Sequence, residues 1–139
     1  MAQQVKEIMT APPHTVSPDT SIREAAVDMR DSDIGDVVVT DGGRLVGLVT
    51  DRDIVVRCVA DGADIDGTPV GEAVSGDLTT VAPDDSIDRA IQCMRDKAVR
   101  RLPVVDGERV VGVVSLGDLA VERDPSSVLS QISGSTSNT

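Results

Sequence analysis

The stretch RLPVVDGERVVGVVS, residues 101–115, decides the fold, because two apolar runs flank a turn signal. An Asp-Gly pair between short apolar runs is the strongest local indication of a β-hairpin. Both runs are continuously apolar and do not alternate with polar residues. They therefore predict a small sheet with both faces covered by other parts of the protein.

The same pattern occurs 65 residues earlier, and the rest of the chain follows the same offset. VVVTDGGRLVGLVT (37–50) aligns without a gap on residues 102–115, and TVSPDTSI (15–22) aligns on TVAPDDSI (80–87). Twenty of the fifty-one positions from Val5 to Val55 are identical to their partners. Agreement of this kind in one register indicates a tandem duplication.

Each copy predicts the order helix, strand, hairpin turn, strand, helix. Apolar residues recur with helical spacing over Ile22–Met29 and over Ile87–Met94, as in amphipathic helices. Ser21 followed by Glu24 is a capping-box signature for the first of them. One copy is too small to bury its own apolar surface, so the two copies are expected to pack against each other.

The remaining elements and the domain boundaries follow from the same alignment. An extended lead-in is predicted at Thr15-Val16, and the last helix of each copy is expected to begin near Asp51 and near Gly117. Repeat 1 is predicted over residues 5–58, a turn-rich linker over 59–69 and repeat 2 over 70–123. The C-terminal tail, 124–139, is expected to hold a short helix over 127–132 and a disordered polar end over 133–139.

The composition excludes several classes of function. A net charge of −11 disfavours nucleic acid and anionic membranes as partners. No apolar run is long enough to cross a membrane, and the N-terminus lacks a secretory signal, so a cytoplasmic protein is expected. The chain has no Phe, Tyr or Trp, so a bound base would have to lie between aliphatic side chains and backbone. The excess of Asp fits an ordinary acidic surface or adaptation to high salt.

Few side chains are suited to catalysis or to metal binding. Cys58 and Cys93 form no CxxC pair and are expected to be reduced, buried thiols. His14 is the only histidine, which leaves no basis for a Ser-His-Asp arrangement and too few ligands for zinc. We therefore predict no catalytic residue, no metal and no required cofactor.

Taken together, the repeated segments resemble a CBS-domain pair, the tandem unit called a Bateman module. The resemblance covers about residues 5–123 and rests on VKEIM, TVSPDTSI, RRLPVVDGERVVGVVS, GLVTDRDI and GVVSLGD. The arrangement is also loosely similar to stand-alone hypoxic-response CBS proteins of actinobacteria. The resemblance implies an α+β fold with two tandem repeats in pseudo-two-fold symmetry, each a small sheet covered by helices.

The family implies regulation without catalysis. Such pairs bind adenosine-containing ligands (AMP, ADP, ATP, S-adenosylmethionine or sometimes NAD) between the two repeats, and they commonly form homodimers through their helices. The family motif, Gly-apolar-apolar-Thr/Ser-x-x-Asp, is present at Gly47–Asp53 and Gly112–Asp118. A carboxylate can accept hydrogen bonds from both ribose hydroxyls, and a hydroxyl beside a helix N-terminus is suited to hydrogen-bond a phosphate. Capping of the following helix is the alternative role of the aspartates.

Two ligand clefts are implied, each with the aspartate of one repeat and the purine and phosphate wall of the other. The first would contain Thr50, Arg52, Asp53, Thr79, Arg100, Arg101, Leu102 and Pro103. The second would contain His14, Gly35, Asp36, Val37, Val38, Ser115 and Asp118. Gly35-Asp36 stands where the first cleft has Arg100-Arg101, and a carboxylate repels phosphate. The first cleft is therefore predicted to bind a phosphate-bearing nucleotide, and the second to be weaker, empty or specific for a less anionic adenosine ligand.

Two functions from different classes are consistent with this sequence. The first is a small-molecule sensor that acts on a separate effector protein, since the chain has no effector domain of its own. The second is a dimeric interaction or scaffold module whose clefts are vestigial. An enzyme is the third and weakest hypothesis. Because the chain starts with Met1 and ends in a polar tail, a stand-alone protein is expected.

Overall fold

The computed structural model describes residues 3–74, 78–123 and 132, which form two compact units. The repeat-1 unit contains the described residues of His14–Leu78. The repeat-2 unit contains those of Met1–Pro13 and of Thr79–Asn138. The predicted helix at 127–132 and the tail at 133–139 lie outside the described residues, apart from Ile132.

The repeat-1 unit alternates strands and helices in the predicted order. Its elements are β1 (Thr15–Val16), α1 (Ile22–Ser32), β2 (Asp36–Asp41), β3 (Arg44–Thr50), α2 (Asp51–Asp53), a π-helix that continues α2 (Ile54–Val59), and a 3₁₀ turn (Val70–Ala73). Strand β1 pairs in parallel with β2, and β2 pairs antiparallel with β3. The mixed α+β class predicted from the sequence is confirmed.

The repeat-2 unit has the matching order. Its elements are a 3₁₀ turn (Val5–Glu7), α3 (Ile87–Lys97), β4 (Arg101–Asp106), β5 (Arg109–Ser115) and α4 (Leu116–Arg123). Strands β4 and β5 form an antiparallel hairpin, and the predicted lead-in is reduced to a parallel bridge between Val81 and Val104.

A serine caps each long helix: Ser21 caps α1, as predicted from the sequence, and Ser86 does the same for α3. The Ser21 hydroxyl accepts a hydrogen bond from the Glu24 N–H at 3.1 Å, and the Ser86 hydroxyl accepts one from Arg89 at 3.0 Å. Each bond satisfies a backbone donor that has no partner within its helix. Both helices end at a residue in the left-handed region with φ of 54°, Asp33 or Ala98.

Both predicted hairpin turns are present. Asp41 pairs with Arg44 around Gly42-Gly43, and Asp106 pairs with Arg109. The turn glycines have φ of 61° and 86° in the first hairpin, values that favour glycine over other residues.

The expectation that both faces of each sheet are covered holds for only part of the strands. Strands β2 and β4 are buried over three consecutive residues, Val37–Val39 and Leu102–Val104. Strands β3 and β5 instead alternate between buried and more exposed positions, and Val46 is exposed. In β5 the alternate residues are still half-buried, so the expectation was wrong in β3, at Val46, because an uninterrupted apolar sequence does not require burial of every second side chain.

Each unit has its own hydrophobic core, formed by one helical stripe and the strands beneath it. In the repeat-1 unit Ile22, Ala25 and Met29 pack with the valines of β2 and with Cys58. In the repeat-2 unit Ile87, Ala90 and Met94 pack with Leu102, Val104, Val114 and Leu119. Cys58 is buried as predicted, whereas Cys93 is only half-buried, and both are free thiols.

The first turn of each repeat packs in the unit of the other repeat. Val5, at the start of repeat 1, is fully buried in the repeat-2 core, and its N–H donates to the Asp85 carbonyl at 2.9 Å. Val70, at the start of repeat 2, is fully buried in the repeat-1 core, and its N–H donates to the Thr20 carbonyl. The compact units therefore have different boundaries from the sequence repeats.

Candidate functional site

The motif Gly47–Asp53 lies where strand β3 ends and helix α2 begins. The Thr50 N–H donates to Asp53 Oδ2 at 2.9 Å, and the Asp53 N–H donates to the Thr50 hydroxyl at 3.1 Å. This is a reciprocal capping box, which forms because a hydroxyl at the helix cap and a carboxylate three residues later can satisfy each other's backbone donors. The second carboxylate oxygen, Asp53 Oδ1, lies 4.0 Å from Arg57 Nε.

The motif Gly112–Asp118 has the same geometry at the junction of β5 and α4. The Ser115 N–H donates to Asp118 Oδ2 at 2.9 Å, and the Asp118 N–H donates to the Ser115 hydroxyl at 3.1 Å. Capping is therefore an actual role of both aspartates. It engages one oxygen of each carboxylate and uses each hydroxyl as an acceptor, so the hydroxyl protons and Oδ1 are not part of the cap.

The wall residues predicted for the first cleft lie together in the repeat-2 unit. Leu102 and Pro103 are buried in β4, Arg101 is half-buried at its first position, and Arg100 is exposed just before it. Thr79 is half-buried and lies two residues before Val81, whose N–H donates to the Pro103 carbonyl at 3.1 Å. The lead-in segment therefore runs beside the start of β4.

The wall residues predicted for the second cleft lie together in the repeat-1 unit. The Val38 N–H donates to the His14 carbonyl at 2.9 Å, which holds the loop before β1 against β2. Gly35 precedes β2, Asp36 is the first residue of that strand, and Val37 and Val38 are buried within it. His14 lies in a loop, as predicted, and its Nε2 is 3.6 Å from Asp28 Oδ2.

Within each unit, the hairpin register places the wall beside the motif of the same repeat. Arg101 is directly opposite Ser115, and the Leu116 N–H donates to the Arg100 carbonyl at 2.8 Å. Asp36 is correspondingly opposite Thr50. The grouping of Thr50, Arg52 and Asp53 with the Arg100–Pro103 wall, and of Ser115 and Asp118 with the His14–Val38 wall, joins residues of different units and stays a prediction.

The two edges differ in charge. In the repeat-2 unit, Arg100 and Arg101 lie beside the single motif carboxylate of Asp118. In the repeat-1 unit, the matched positions are Gly35 and Asp36, so that Asp36 adds a carboxylate next to the motif. At these matched positions the repeat-2 unit thus has two arginines where the repeat-1 unit has a glycine and a carboxylate.

The packing role of the two motif glycines, Gly47 and Gly112, was not predicted from the sequence. A Cβ on Gly112 would lie 2.6 Å from Met9 Sδ and 2.8 Å from the Thr10 carbonyl oxygen, and a Cβ on Gly47 would collide with Val74. The lack of a side chain at each glycine therefore leaves room for the segment at the start of the other repeat to pack against the strand. Arg57 was also missed, although its spacing of four residues from Asp53 on a helix is a recognisable signal.

No group of three or more His, Cys, Asp or Glu side chains that could hold a metal ion occurs in residues 3–74, 78–123 and 132. In the same ranges, no helix is long and apolar enough to span a membrane. The chemistry available at the two edges is hydrogen bonding and charge, from hydroxyls, carboxylates and arginines.

The duplicated unit, with a capped carboxylate at each strand-to-helix junction, defines a tandem-repeat domain. The CBS domain family model matches this chain twice, at residues 5–59 and 70–123. The chain belongs to the CBS domain family.

Two bacterial relatives align with this chain over most of their own length. The CBS domain-containing protein YhcV of Bacillus subtilis is 44% identical over 119 residues, which cover 86% of this chain and 84% of that protein. Hypoxic response protein 1 of Mycobacterium tuberculosis is 35% identical over 116 residues, which cover 83% and 81%. The similarity to hypoxic-response CBS proteins is confirmed.

Solved structures of the family share the fold. Hypoxic Response Protein I with two coordinated zinc ions has a TM-score of 0.78 at 34% identity, over 86% of this chain and 98% of that one. A CBS domain protein of Pyrobaculum aerophilum complexed with AMP has a TM-score of 0.78 at 31% identity, over 86% and 92%. The CBS domain pair of protein MJ0100, in complex with 5-methylthioadenosine and S-adenosylmethionine, has a TM-score of 0.75 at 30% identity, over 84% and 92%.

Proposed function

We propose that this protein is a regulatory module that binds an adenosine-containing ligand and carries out no catalysis. The main support is the motif geometry, in which the capping box leaves Oδ1 of Asp53 and of Asp118 outside the cap. A carboxylate oxygen so held can accept hydrogen bonds from ribose hydroxyls, each worth about 1.5–3 kcal/mol because the acceptor is charged. Family members of the same fold bind AMP, or 5-methylthioadenosine and S-adenosylmethionine.

The adenine ring would be held by aliphatic side chains and backbone. The chain has no aromatic residue, and both walls offer buried apolar residues at the start of a strand: Leu102 and Pro103, or Val37 and Val38. Such a wall excludes water from the ring and provides contacts by shape, with backbone groups left to recognise the ring's polar edge.

Phosphate would bind preferentially in the first cleft. Arg100 and Arg101 supply two cations at the start of β4, and Arg52 adds a third from the first turn of α2. The second cleft has Asp36 in place of an arginine, so we expect it to be weaker, empty or occupied by a less anionic adenosine ligand. AMP, ADP or ATP thus fit the first cleft better than S-adenosylmethionine does.

Ligand binding would act by a shift in conformation, passed on to a separate protein. The free energy available for that effect cannot exceed the difference in ligand affinity between the two conformations. We also propose a cytoplasmic location and a homodimer as the working form, with neither nucleic acid nor a membrane as partner. A dimeric scaffold with vestigial clefts is the alternative, favoured by the fact that capping alone would account for both aspartates.

The first test exploits the missing aromatic residues. Freshly purified protein should absorb little near 280 nm, so that a band near 260 nm would reveal a co-purified nucleotide. Mass spectrometry of the compound released on denaturation then identifies it. Stoichiometric AMP, ADP, ATP or S-adenosylmethionine would support the sensor.

Protein that purifies empty is titrated calorimetrically with AMP, ATP, NAD and S-adenosylmethionine, and the Arg100→Ala variant is titrated beside Arg95→Ala as a matched surface arginine. We expect Arg100→Ala alone to weaken the phosphate-bearing ligands. If none of the four ligands binds, the scaffold function replaces the sensor. Equal phosphate-dependent binding at two sites would contradict the predicted difference between the clefts.

A further inference from the structure

The two motif aspartates differ in the charged residue that follows each of them by four positions. Arg57 follows Asp53, and Glu122 follows Asp118. The 65-residue offset makes Arg57 and Glu122 counterparts, so the duplicated helices carry opposite charges at the same position. Residues four apart on a helix are neighbours on its surface, with about 5–6 Å between their Cβ atoms. Each motif carboxylate therefore has a charged neighbour, positive in repeat 1 and negative in repeat 2.

In the repeat-1 unit, the contact between Arg57 and Asp53 is an ion pair without a hydrogen bond. Arg57 Nε lies 4.0 Å from Asp53 Oδ1, which is beyond hydrogen-bond distance. The other oxygen, Oδ2, accepts from the Thr50 N–H. The guanidinium therefore offsets the charge of the carboxylate and leaves the lone pairs of Oδ1 to hydroxyl donors. The Arg57 side chain is 51% exposed, so it extends from the motif toward solvent.

In the repeat-2 unit, the same helical position carries a second negative charge. Asp118 and Glu122 both lie on α4, and Asp118 accepts from the Ser115 N–H through Oδ2, as Asp53 does from Thr50. Glu122 is half-buried, and like charges four apart on a helix repel each other. A ligand at this motif approaches two carboxylates, whereas a ligand at the first motif approaches a carboxylate and a guanidinium.

We propose that this helical position selects ligands by their charge. Arg57 favours an anionic adenosine ligand at Asp53. Glu122 disfavours an anionic ligand at Asp118 and favours a cationic one. The inference rests on the proposed function, because it requires each aspartate to hold the ribose. Arg57 and Glu122 are thus specificity-determining residues that act through the charge of the ligand and need no contact with its base.

Three ligands that share adenine and ribose but differ in charge test this selection. Adenosine is neutral, AMP carries an anionic phosphate, and S-adenosylmethionine carries a sulfonium cation. Calorimetric titrations use the Asp118→Asn background, because the amide keeps an oxygen for the Ser115 N–H and removes the second charged acceptor. Wild-type Arg57 is compared there with Arg57→Gln, Arg57→Glu and Arg57→Lys. The quantity compared is the affinity for AMP, or for S-adenosylmethionine, divided by the affinity for adenosine.

This affinity ratio isolates charge, because damage to the motif would weaken all three ligands alike. An exposed charge pair changes affinity by roughly two- to fivefold. Arg57→Gln should lower the AMP-to-adenosine ratio by that factor, and Arg57→Glu by roughly its square, four- to twenty-five-fold. The S-adenosylmethionine-to-adenosine ratio should rise instead, and Arg57→Lys should keep both ratios near wild type. In 1 M salt the differences should nearly vanish, because the screening length falls to about 3 Å.

Arg44→Glu is the matched control, since it changes the net charge as Arg57→Glu does. Arg44 lies at the other end of β3, about 20 Å along the strand from Thr50. It should leave both ratios unchanged, and an equal effect of Arg44→Glu would assign the selection to net charge and overturn the proposal. In the Asp53→Asn background, Glu122→Gln and Glu122→Arg should raise the AMP-to-adenosine ratio stepwise. Circular dichroism melting checks that each variant is folded.

The other outcomes separate this inference from the proposed function. Wild-type protein that binds none of the three ligands refutes both. Wild-type binding with unchanged ratios in the Arg57 variants, or with adenosine and AMP weakened equally, refutes the inference alone. Stronger adenosine binding by Arg57→Gln would show that Arg57 competes with ribose for Oδ1, which also overturns it. AMP binding that Asp118→Asn abolishes, or no rise in the Glu122 variants, would contradict the assignment of charge preference to the two motifs.

Discussion

Replacement of Gly112 by alanine should destabilise the repeat-2 unit through the segment that crosses it. The added Cβ would lie 2.6 Å from Met9 Sδ and 2.8 Å from the Thr10 carbonyl oxygen, both too close for carbon. The Met9 side chain can rotate away. The Thr10 backbone cannot easily follow, because its N–H donates to the Val113 carbonyl at 2.8 Å and its carbonyl accepts from the Val113 N–H at 3.1 Å.

The expected cost follows from these contacts. An extra methyl group in a packed site costs about 1–3 kcal/mol, and each of the two Thr10–Val113 hydrogen bonds contributes about 0.5–1.5 kcal/mol if it is lost. With partial relaxation, Gly112→Ala should lower the free energy of unfolding by about 2–4 kcal/mol. Urea unfolding followed by far-ultraviolet circular dichroism measures this directly, since there is no tryptophan to follow.

A double-mutant cycle separates the two contacts. If the Thr10 backbone is the main obstacle, the coupling free energy between Met9→Ala and Gly112→Ala should be no more than about 1 kcal/mol. A loss below about 0.5 kcal/mol for Gly112→Ala, the range of an ordinary surface change, would refute the crossing of the first segment at this glycine.

Three further outcomes are expected. Asp53→Asn keeps an oxygen that can accept from the capped N–H but loses the charge, so it should weaken nucleotide binding roughly 10–150-fold in calorimetry. Asp53→Ala should in addition cost about 1 kcal/mol of stability, and unchanged affinity in both variants would leave the aspartate as a cap only. Burial and the nearby acids raise the pKa of the Cys58 thiol. At mildly alkaline pH, a disulfide reagent should therefore label Cys93 first and Cys58 only as the protein unfolds. Equal labelling rates of the two thiols in the folded protein would contradict this. The Arg23 guanidinium donates a hydrogen bond to Asp66 and lowers the pKa of that carboxyl. The ion pair therefore stabilises the fold above the ordinary aspartate pKa, and this stabilisation is lost as the pH falls through the lowered pKa. Over that acidic range, the melting temperature of Asp66→Asn should change less than that of wild type.

Much of the local structure could be predicted from the sequence because short-range physics specifies it. The Asp-Gly turns require backbone conformations that glycine adopts readily, and the structure has both hairpins where the sequence placed them. Helical spacing of apolar residues likewise located α1 and α3, with their first residues at Ile22 and Ile87 as expected. The exposure of Val46 was missed, because the same apolar run is compatible with burial on one face or on two.

The candidate site was predictable in its residues but not in their detailed roles. The repeated motif identified Asp53 and Asp118 as either ligand contacts or caps, and only the structure shows that one oxygen of each serves the cap. The register that places Arg101 opposite Ser115 depends on how the two strands pair. That pairing is not specified by the order of the residues in each strand alone.

By itself, the sequence determined the duplication, the elements of each repeat, the hairpin turns and the two motifs, since all of these depend on neighbours in the chain. Only the tertiary structure decided which core each first turn enters. Val5 and Val70 occupy equivalent positions in two similar repeats. Local preferences therefore cannot decide whether each valine packs in the core of its own repeat or in that of the other repeat.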